Sequence, residues 1–528
     1  MIAGMAESTH SSASPIPANW KGVPLTVLGL SKSGAAVARY VAKRGGQVFL
    51  SEMLPTTPAS ISLQEELIHR GVQLETGGHT QRCYTHAPWV VVSPGIPPTS
   101  PVMQQLKLSG IPIISEVELA FRESQERPLH NPQFLPIPWI GITGTNGKTT
   151  TTTLVSRMLS DSGLTAPACG NIGLPIMDLL DEIEPGEGQP ERSLDFIVAE
   201  LSSFQLAFSP TLKPFVAALL NITPDHIAWH GSLDGYKIAK TTFLMGSRSP
   251  EWVVLNAEDS VCREVAVSTQ ARIGWFTRIP ESVEVLKQQP HAALIAVEKA
   301  TGELVIEHKA DNNLWRTYSL GHRSVLKIPG NHNVENVLAA SAIAYLAGVS
   351  PESINNTLNH FEGVEHRIEW CGRWQRSLDN RWVNVYNDSK ATNVSASLAA
   401  LNAFPGQPVV LVAGGRPKEE PLDPFVDACK NQVESVILYG EAAERFSQVL
   451  TLGNYRGPVH VVSTLAEALT VAKQQLDFMP SEALNRYAKP TEPILLFSPA
   501  CASFDQFANF EVRGTMFKAI LEGLLSHA

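Results

Sequence analysis

The chain has 528 residues, of which 44% are apolar and 17% charged, enough for several domains of ordinary size and typical of a soluble globular protein. Its formal net charge of -10 argues against a broad nucleic-acid or anionic-membrane surface, which would be basic, and leaves room for a local basic nucleotide pocket. The six cysteines (Cys83, Cys169, Cys262, Cys371, Cys429 and Cys501) are scattered without a Cys-x-x-Cys pair, which argues against a zinc ribbon or redox motif and suits buried thiols in a reducing compartment.

Residues 1–20 are rich in Ser, Ala and Pro, with no Lys or Arg before Lys21. They lack the basic start and apolar core of a secretory signal and read as a disordered tail. No apolar run is long enough to span a bilayer, so a cytoplasmic location is expected. A first block then opens as βαβ: a strand over 23–29, a helix over 35–43 and a second strand over 47–50, ending at Ser51-Glu52. Trp89-Val-Val-Val92 reads as a buried strand closed by the turn Ser93-Pro94-Gly95. The proline-rich residues 128–138 interrupt all periodicity and mark a boundary.

Trp139-Ile140 begins a second block. It leads into a glycine-rich loop and a helix with Leu154, Val155, Met158 and Leu159 on one face. Strands are expected over 196–199, 216–220 and 252–255. A second boundary falls near 361–364, after a helical stretch beginning near Asn333. A third block follows, with strands over 383–386, 409–412, 435–439, 459–462 and 494–497. Strands alternating with helices predict mainly parallel α/β sheets covered by helices. No internal repeat is present.

The strongest chemical signal is residues 141–149, Gly-Ile-Thr-Gly-Thr-Asn-Gly-Lys-Thr. Small residues let backbone N–H groups approach phosphate oxygens, and the following helix N-terminus favours negative charge. Lys148 can reach terminal phosphates and the Thr149 hydroxyl can bind Mg²⁺. The usual spacing places a glycine where Ile142 stands; a glycine-rich turn without a ligand is the plain alternative. Glu200 ends an apolar strand, where an acid can hold Mg²⁺ beside a phosphate loop or be merely solvated. His226, in Asn221-Ile-Thr-Pro-Asp225-His226, is a metal ligand, a proton-transfer group or a hydrogen-bonded strand-end histidine. Lys240 alone reads as a solvated helix lysine. Residues 387–393 and 498–507 are polar loops after strands, and two such loops on one sheet suit a ligand crevice. Gly29-x-Ser31-x-x-Gly34, with Glu52 downstream, is a partial dinucleotide fingerprint that fits a nucleotide-like ligand without selecting NAD.

Taken together, the 144–149 loop, Glu200-Leu-Ser-Ser-Phe-Gln205, Asp225-His226, Gly330-Asn-His-Asn333 with Asn336, His366-Arg367, and the 387–393 and 498–507 loops resemble the Mur ligase family over nearly the whole chain. The resemblance implies three domains after the tail: a Rossmann-like UDP-substrate domain (21–130), a central P-loop ATPase with a mainly parallel sheet (137–362) and a Rossmann-like amino-acid domain (363–528). It implies a cytoplasmic, monomeric ligase that uses ATP to join D-glutamate to UDP-N-acetylmuramoyl-L-alanine in peptidoglycan synthesis, with neither nucleic acid nor membrane as partner. It further implies that ATP phosphorylates the substrate carboxylate and that the amine then displaces phosphate from the acyl phosphate.

Residue by residue, the resemblance assigns catalysis to Lys148, Glu200, His226 and Lys240. Thr149 and Glu200 would hold one Mg²⁺, and His226 a second metal together with Lys240 as a carbamate. ATP contacts fall on Gly144, Thr145, Asn146, Gly147, Lys148, Thr149, Thr150, Asn333, Asn336, Arg367 and Asp388. The UDP-substrate maps to Leu30, Ser31, Glu52, Gly95, Asn171, Ser202 and His226. D-glutamate maps to Lys390, Thr392, Lys418, Ser503, Phe504 and Phe510. Two departures stand out: the family pattern has an Asp where Ser51 or Glu52 stands, and an acid where this chain has Arg416. Another amide ligase of the group and a non-catalytic nucleotide-binding protein are the alternatives; the 387–393 and 498–507 loops argue against the first, and the set Lys148, Glu200, His226 and Lys240 against the second.

Overall fold

The computed structural model describes residues 17, 19–130, 136–183, 193–418, 420–481, 484 and 492–526; most of the expected tail and part of the proline-rich stretch lie outside them. Three sheets run in chain order, and they fall into two compact units, residues 1–323 with 334–357 and residues 324–333 with 358–528.

In the first unit, β1 (Pro24–Leu28), β2 (Gln47–Glu52), β3 (Gln73–Thr76), β4 (Val90–Val92) and β5 (Ile113–Ser115) form a parallel sheet of order β3-β2-β1-β4-β5. β1, β2 and β4 are mostly apolar and buried, as in a parallel sheet covered by helices, whereas the edge strand β3 is polar and only partly buried. The helix Lys32–Lys43 starts at Ser31, whose side chain accepts from Gly34 N at 3.4 Å. A Cβ on Gly34 would lie 2.1 Å from Gly29 O, so glycine there permits close packing of helix on strand.

The same unit holds β6 (Trp139–Thr143), β7 (Ala168–Gly170), β8 (Ile197–Glu200), β9 (Val216–Leu219), β10 (Trp252–Asn256), β11 (Arg272–Thr277), β12 (Ala292–Glu298), β13 (Glu303–Lys309) and β14 (Trp315–His322). Their order is β14-β13-β12-β11-β10-β9-β6-β8-β7. The sheet is parallel except for β13 and β14, which pair antiparallel at one edge and were not anticipated. The helix Glu116–His130 runs through Pro128, so periodicity is not yet interrupted at the first proline of the 128–138 stretch.

Contacts tie the first sheet's helices to the central sheet's helix Ile176–Glu182. Arg39 grips Asp178 with two hydrogen bonds of 3.2 and 2.8 Å, and Lys43 and Arg44 both reach Asp181. Glu116 is buried beneath them. Its Oε1 accepts from Met177 N at 2.8 Å, while Oε2 is buried without a partner. Burial raises its pKa to about 7 against the lowering effect of the Met177 and Ile176 amides. The folded chain therefore holds a proton there that the unfolded chain has lost, so stability falls as pH rises from about 4.5 through 7. Glu116→Gln keeps an acceptor for Met177 and abolishes the titration. Thermal unfolding at pH 8 is expected to show it more stable by about 3 kcal/mol, at about 1.4 kcal/mol per pKa unit, and unchanged near pH 4; equal effects at both pH values would refute this.

In the second unit, β15 (Glu369–Gln375), β16 (Trp382–Asn387), β17 (Val409–Gly414), β18 (Val433–Tyr439), β19 (Val459–Val462) and β20 (Ile494–Phe497) take the order β15-β16-β20-β17-β18-β19. Only β15 is antiparallel to its neighbour. Among the described residues, no helix is long and apolar enough to cross a membrane.

Candidate active site

Each sheet places its polar loops at the carboxyl ends of central parallel strands, where the chain turns outward on either side. In the central sheet, β6 lies between β8 and β9, so the loop 144–147, Glu200 at the end of β8 and Asn221 after β9 gather at the carboxyl ends of three adjacent strands. Gly144 and Gly147 have φ of 155° and 84°. A Cβ on Gly147 would lie 2.2 Å from Asn336 Oδ1, so both conformation and space demand glycine there. The loop is clamped from β9: Thr145 N donates to Asn221 O (2.9 Å) and Asn146 N to Asn221 Oδ1 (2.9 Å). Thr145 Oγ1 donates to Thr223 O at 3.1 Å and lies 2.9 Å from the Tyr236 hydroxyl.

The helix Lys148–Asp161 begins directly after Gly147, with Thr149 and Thr150 buried in its first turn. Lys148 Nζ arches back to donate to Gly144 O (2.9 Å) and Thr145 O (2.8 Å). Glu200 is 2% exposed. Its Oε1 accepts from Asn171 Nδ2 at 2.9 Å, and its Oε2 is buried with no hydrogen-bond partner. An orphan carboxylate oxygen on the strand next to a hydroxyl-bearing glycine-rich loop suits a hard cation such as Mg²⁺.

Lys240 is not the solvated lysine that its helix position suggests. It is 2% exposed, and Nζ donates to Thr143 Oγ1 (3.1 Å) and Gly144 O (2.8 Å). Burial and the nearby Lys148 charge hold its amine well below the usual lysine range, opposed by Asp225 and Glu200. His226 stands at the exposed rim with φ 52°, 3.4 Å from Asp225, its ring 4.7 Å from that of Phe204. Ser202 is buried and caps the short helix Ser203–Leu206; its hydroxyl donates to Gln205 Oε1 at 2.9 Å.

On the first sheet, Glu52 Oε2 accepts from Leu30 N (2.6 Å) and Oε1 from Leu54 N (2.9 Å). Ser31 Oγ bonds Ser93 Oγ at 2.9 Å, and Gly95 is exposed on the neighbouring loop. The alternation of the strand sends Ser51 to the other side. There its hydroxyl donates to Glu75 Oε1 (2.6 Å) and meets His79 Nδ1 (2.7 Å). Glu75, His79 and Cys83 cluster closely enough to suggest a metal site. The Ser51 hydroxyl bonds both Glu75 and His79, and Glu75 also accepts from Thr80 and Cys83, so these groups satisfy one another as a hydrogen-bond hub.

On the third sheet, loops after β16, β17 and β20 meet. Asp388 is buried, accepting from Ser498 Oγ at 2.8 Å and Ile368 N at 3.3 Å, and burial pushes its pKa up to about 7. Arg513 is fully buried and donates to Ser389 Oγ, Ser389 O and Cys501 O, tying two loops together. Lys390 Nζ lies 5.6 Å from the Phe510 ring centroid, and Thr392 N donates to Lys390 O. Ser503 is buried, whereas Phe504 is 61% exposed and Lys418 is exposed. Asn333 Nδ2 donates to Pro329 O at 2.6 Å, in the same unit as Arg367.

Comparison with known proteins matches residues 24–115 to the Mur ligase MurD-like N-terminal domain, 142–344 to the Mur ligase middle domain and 372–477 to the Mur ligase glutamate ligase domain. A protein of Acidobacterium capsulatum named UDP-N-acetylmuramoylalanine--D-glutamate ligase is 35% identical over 506 residues, covering 95% of this chain and 96% of its own. One of the same name from Gloeobacter violaceus is 36% identical over 502 residues, covering 95% and 99%. The chain belongs to the Mur ligase family. The fold agrees: the solved UDP-N-acetylmuramate-alanine ligase of Thermotoga maritima aligns over 96% of this chain and 99% of its own at 18% identity and a TM-score of 0.50.

Several residues packed around these loops were missed from sequence. Asn221 and Tyr236 brace the 144–147 loop from 75 and 91 residues away. His230 bonds Ser203 Oγ at 2.9 Å and stacks on Phe204. Burial first, then the His226 and Lys240 charges, lower its pKa to about 4, so the ring is neutral near pH 7. The motif next to His226 was its only signal. Arg416 also finds its account: two 3.0 Å hydrogen bonds pair it with Glu441, so the charge reversed at position 416 is balanced locally.

Proposed function

We propose that this Mur ligase joins D-glutamate to the carboxylate of UDP-N-acetylmuramoyl-L-alanine, cleaving ATP to ADP and phosphate, in cytoplasmic peptidoglycan precursor synthesis. The observation that carries this is near-complete alignment, at 34–36% identity, with relatives named for that reaction. The phosphate loop, the orphan oxygen of Glu200 and the buried amine of Lys240 support it.

A carboxylate is a poor electrophile. Its oxygen attacks the γ-phosphorus of ATP, the bond to ADP breaks, and an acyl phosphate results. The D-glutamate amine then adds to the acyl carbon, loses a proton, and the tetrahedral intermediate expels phosphate. The loop 144–147 and the first turn at Thr149 and Thr150 would receive the phosphates: the Thr145 and Asn146 amides, bonded to Asn221, hold the loop's shape, and the helix N-terminus after Gly147 favours negative charge. Lys148 neutralises charge gathering on the transferred group. Thr149 and Glu200 would hold Mg²⁺, and His226 with a carbamate on Lys240 would hold a second; bound there, the cations screen phosphate charge and lower the phosphoryl-transfer barrier.

Asn171, Ser202 and His226 serve the muramoyl end of the substrate, and Leu30, Ser31, Glu52 and Gly95 its uridine diphosphate. Asn333, Asn336, Arg367 and Asp388 complete the nucleotide contacts. Lys390, Thr392, Lys418, Ser503, Phe504 and Phe510 take D-glutamate, whose two carboxylates suit the lysines. Divisions at 21–130, 137–362 and 363–528 assign these tasks to separate domains.

The test is phosphate release by the purified chain with ATP and Mg²⁺. Release is expected only with UDP-N-acetylmuramoyl-L-alanine and D-glutamate together. No release with that pair, alongside turnover of another amino acid or of a folate, would reassign the substrate.

A further inference from the structure

The helix Phe510–Ser526 carries two glycines in different surroundings. A Cβ on Gly523 meets open space, whereas one on Gly514 falls 2.2 Å from His366 Nδ1 and 2.7 Å from two further ring atoms. Alanine is ordinarily the better helix former, so the requirement for glycine at 514 is steric: it seats the imidazole of His366 against the helix.

His366 belongs to a strained turn. Its φ is 62° and that of Ile368 is 45°, the latter a genuine outlier for a β-branched residue. Such backbone persists only where its surroundings enforce it. Here they do. Asn387 Oδ1 accepts from Ser389 N at 3.1 Å, which fixes its amide so that Nδ2, with two hydrogens to share, faces His366 Nδ1 (3.1 Å), Glu369 Oε2 (3.1 Å) and Gly514 O (3.3 Å). His366 N donates to Glu369 Oε2 at 2.9 Å, and Ile368 N to Asp388 Oδ1 at 3.3 Å.

Two groups of unlike purpose hang on this turn. Arg367 lies between the two strained residues, its Nε buried without a partner. Lys390 N donates to His366 O at 3.0 Å. We propose that His366, seated on Gly514, is a positioning residue that sets Arg367 and Lys390 together, so that nucleotide affinity and amino-acid affinity depend on one turn. The inference rests on the reaction proposed above, in which Arg367 serves ATP and Lys390 serves D-glutamate.

The experiment uses the full chain with Gly514→Ala, His366→Ala and Gly523→Ala. Calorimetry gives the Kd for ADP, and steady-state kinetics give the D-glutamate KM and kcat separately. Gly514→Ala is expected to raise both the ADP Kd and the D-glutamate KM by about fivefold or more, because small displacements of binding groups weaken every contact they make. Gly523→Ala is expected to match the wild type in both. His366→Ala removes the ring instead of crowding it, and should give the same joint rise if Gly514→Ala does not fold. A folded variant that changes one affinity alone, or neither, overturns the coupling. Failure of both variants to fold beside a folded Gly523→Ala would make the contact a folding requirement and also overturn it. A wild-type chain that binds ADP yet shows no D-glutamate-dependent phosphate release would instead refute the proposed reaction, and the coupling with it.

Discussion

Lys240→Ala is expected to lower kcat by about a thousandfold or more, with partial recovery when acetate or propionate is added. The reasoning starts from burial. An ammonium enclosed at 2% exposure, with Lys148 as a like charge nearby, is disfavoured, so its amine is held well below the usual lysine range. A neutral amine is a nucleophile. On the proposed carbamate reading, its lone pair would form a bond to the carbon of CO₂, a carbon–oxygen π pair would move to oxygen, and a proton would leave the nitrogen. The product would be an anion in place of the disfavoured ammonium, and Lys148 would then attract it instead of repelling it. A small carboxylate entering the space vacated in Lys240→Ala would supply similar oxygens. Turnover of the unrescued variant near the wild-type rate would rule out the carbamate. A second reading is independent of activity: ¹³C-labelled bicarbonate should give a carbamate resonance in the wild type that is missing from Lys240→Ala.

What could be read in advance was local. Loops of glycine, hydroxyl and charge after apolar strands announced themselves at 144–149, 387–393 and 498–507, because parallel strands place such residues at one sheet edge. The family resemblance then supplied Lys240, which helix position alone would have left in solvent. Partnerships between distant positions stayed hidden. Nothing at Thr145 indicates that the Tyr236 hydroxyl will meet it, and nothing at Arg416 announces Glu441. Strand alternation decided the Ser51 and Glu52 departure: Ser51 turns into the buried hub with Glu75 and His79, which leaves Glu52 to hold the Leu30 amide. The antiparallel edge of β13 and β14 escaped because no motif marks it. The strain at His366 and Ile368 could not be foreseen either, since it is imposed by Asn387, Asp388 and Gly514 from elsewhere in the chain.

Lys148→Met should be the most damaging single change to phosphoryl transfer, with kcat reduced by about a thousandfold or more and the ATP KM raised much less. The ammonium sits over the loop that would cradle the phosphates, 2.9 and 2.8 Å from the Gly144 and Thr145 carbonyls. Charge on the phosphoryl oxygens is redistributed as the bond to ADP breaks, and a fixed cation helps most where that charge grows. Methionine keeps much of the stem's length and apolar bulk and removes the charge. A rival account makes Lys148 only a brace that holds the loop shape through those two carbonyls. Thr145→Ala separates the accounts, because it removes the bonds to Thr223 and Tyr236 that brace the same loop and leaves the ammonium in place. A brace-only role predicts similar losses for the two variants. Charge stabilisation predicts that Thr145→Ala loses about tenfold at most, in the range of a neutral hydrogen bond, while Lys148→Met loses far more. Single-turnover measurement of acyl-phosphate formation would show which holds, and a Lys148→Met rate within tenfold of the wild type would remove Lys148 from the chemical step.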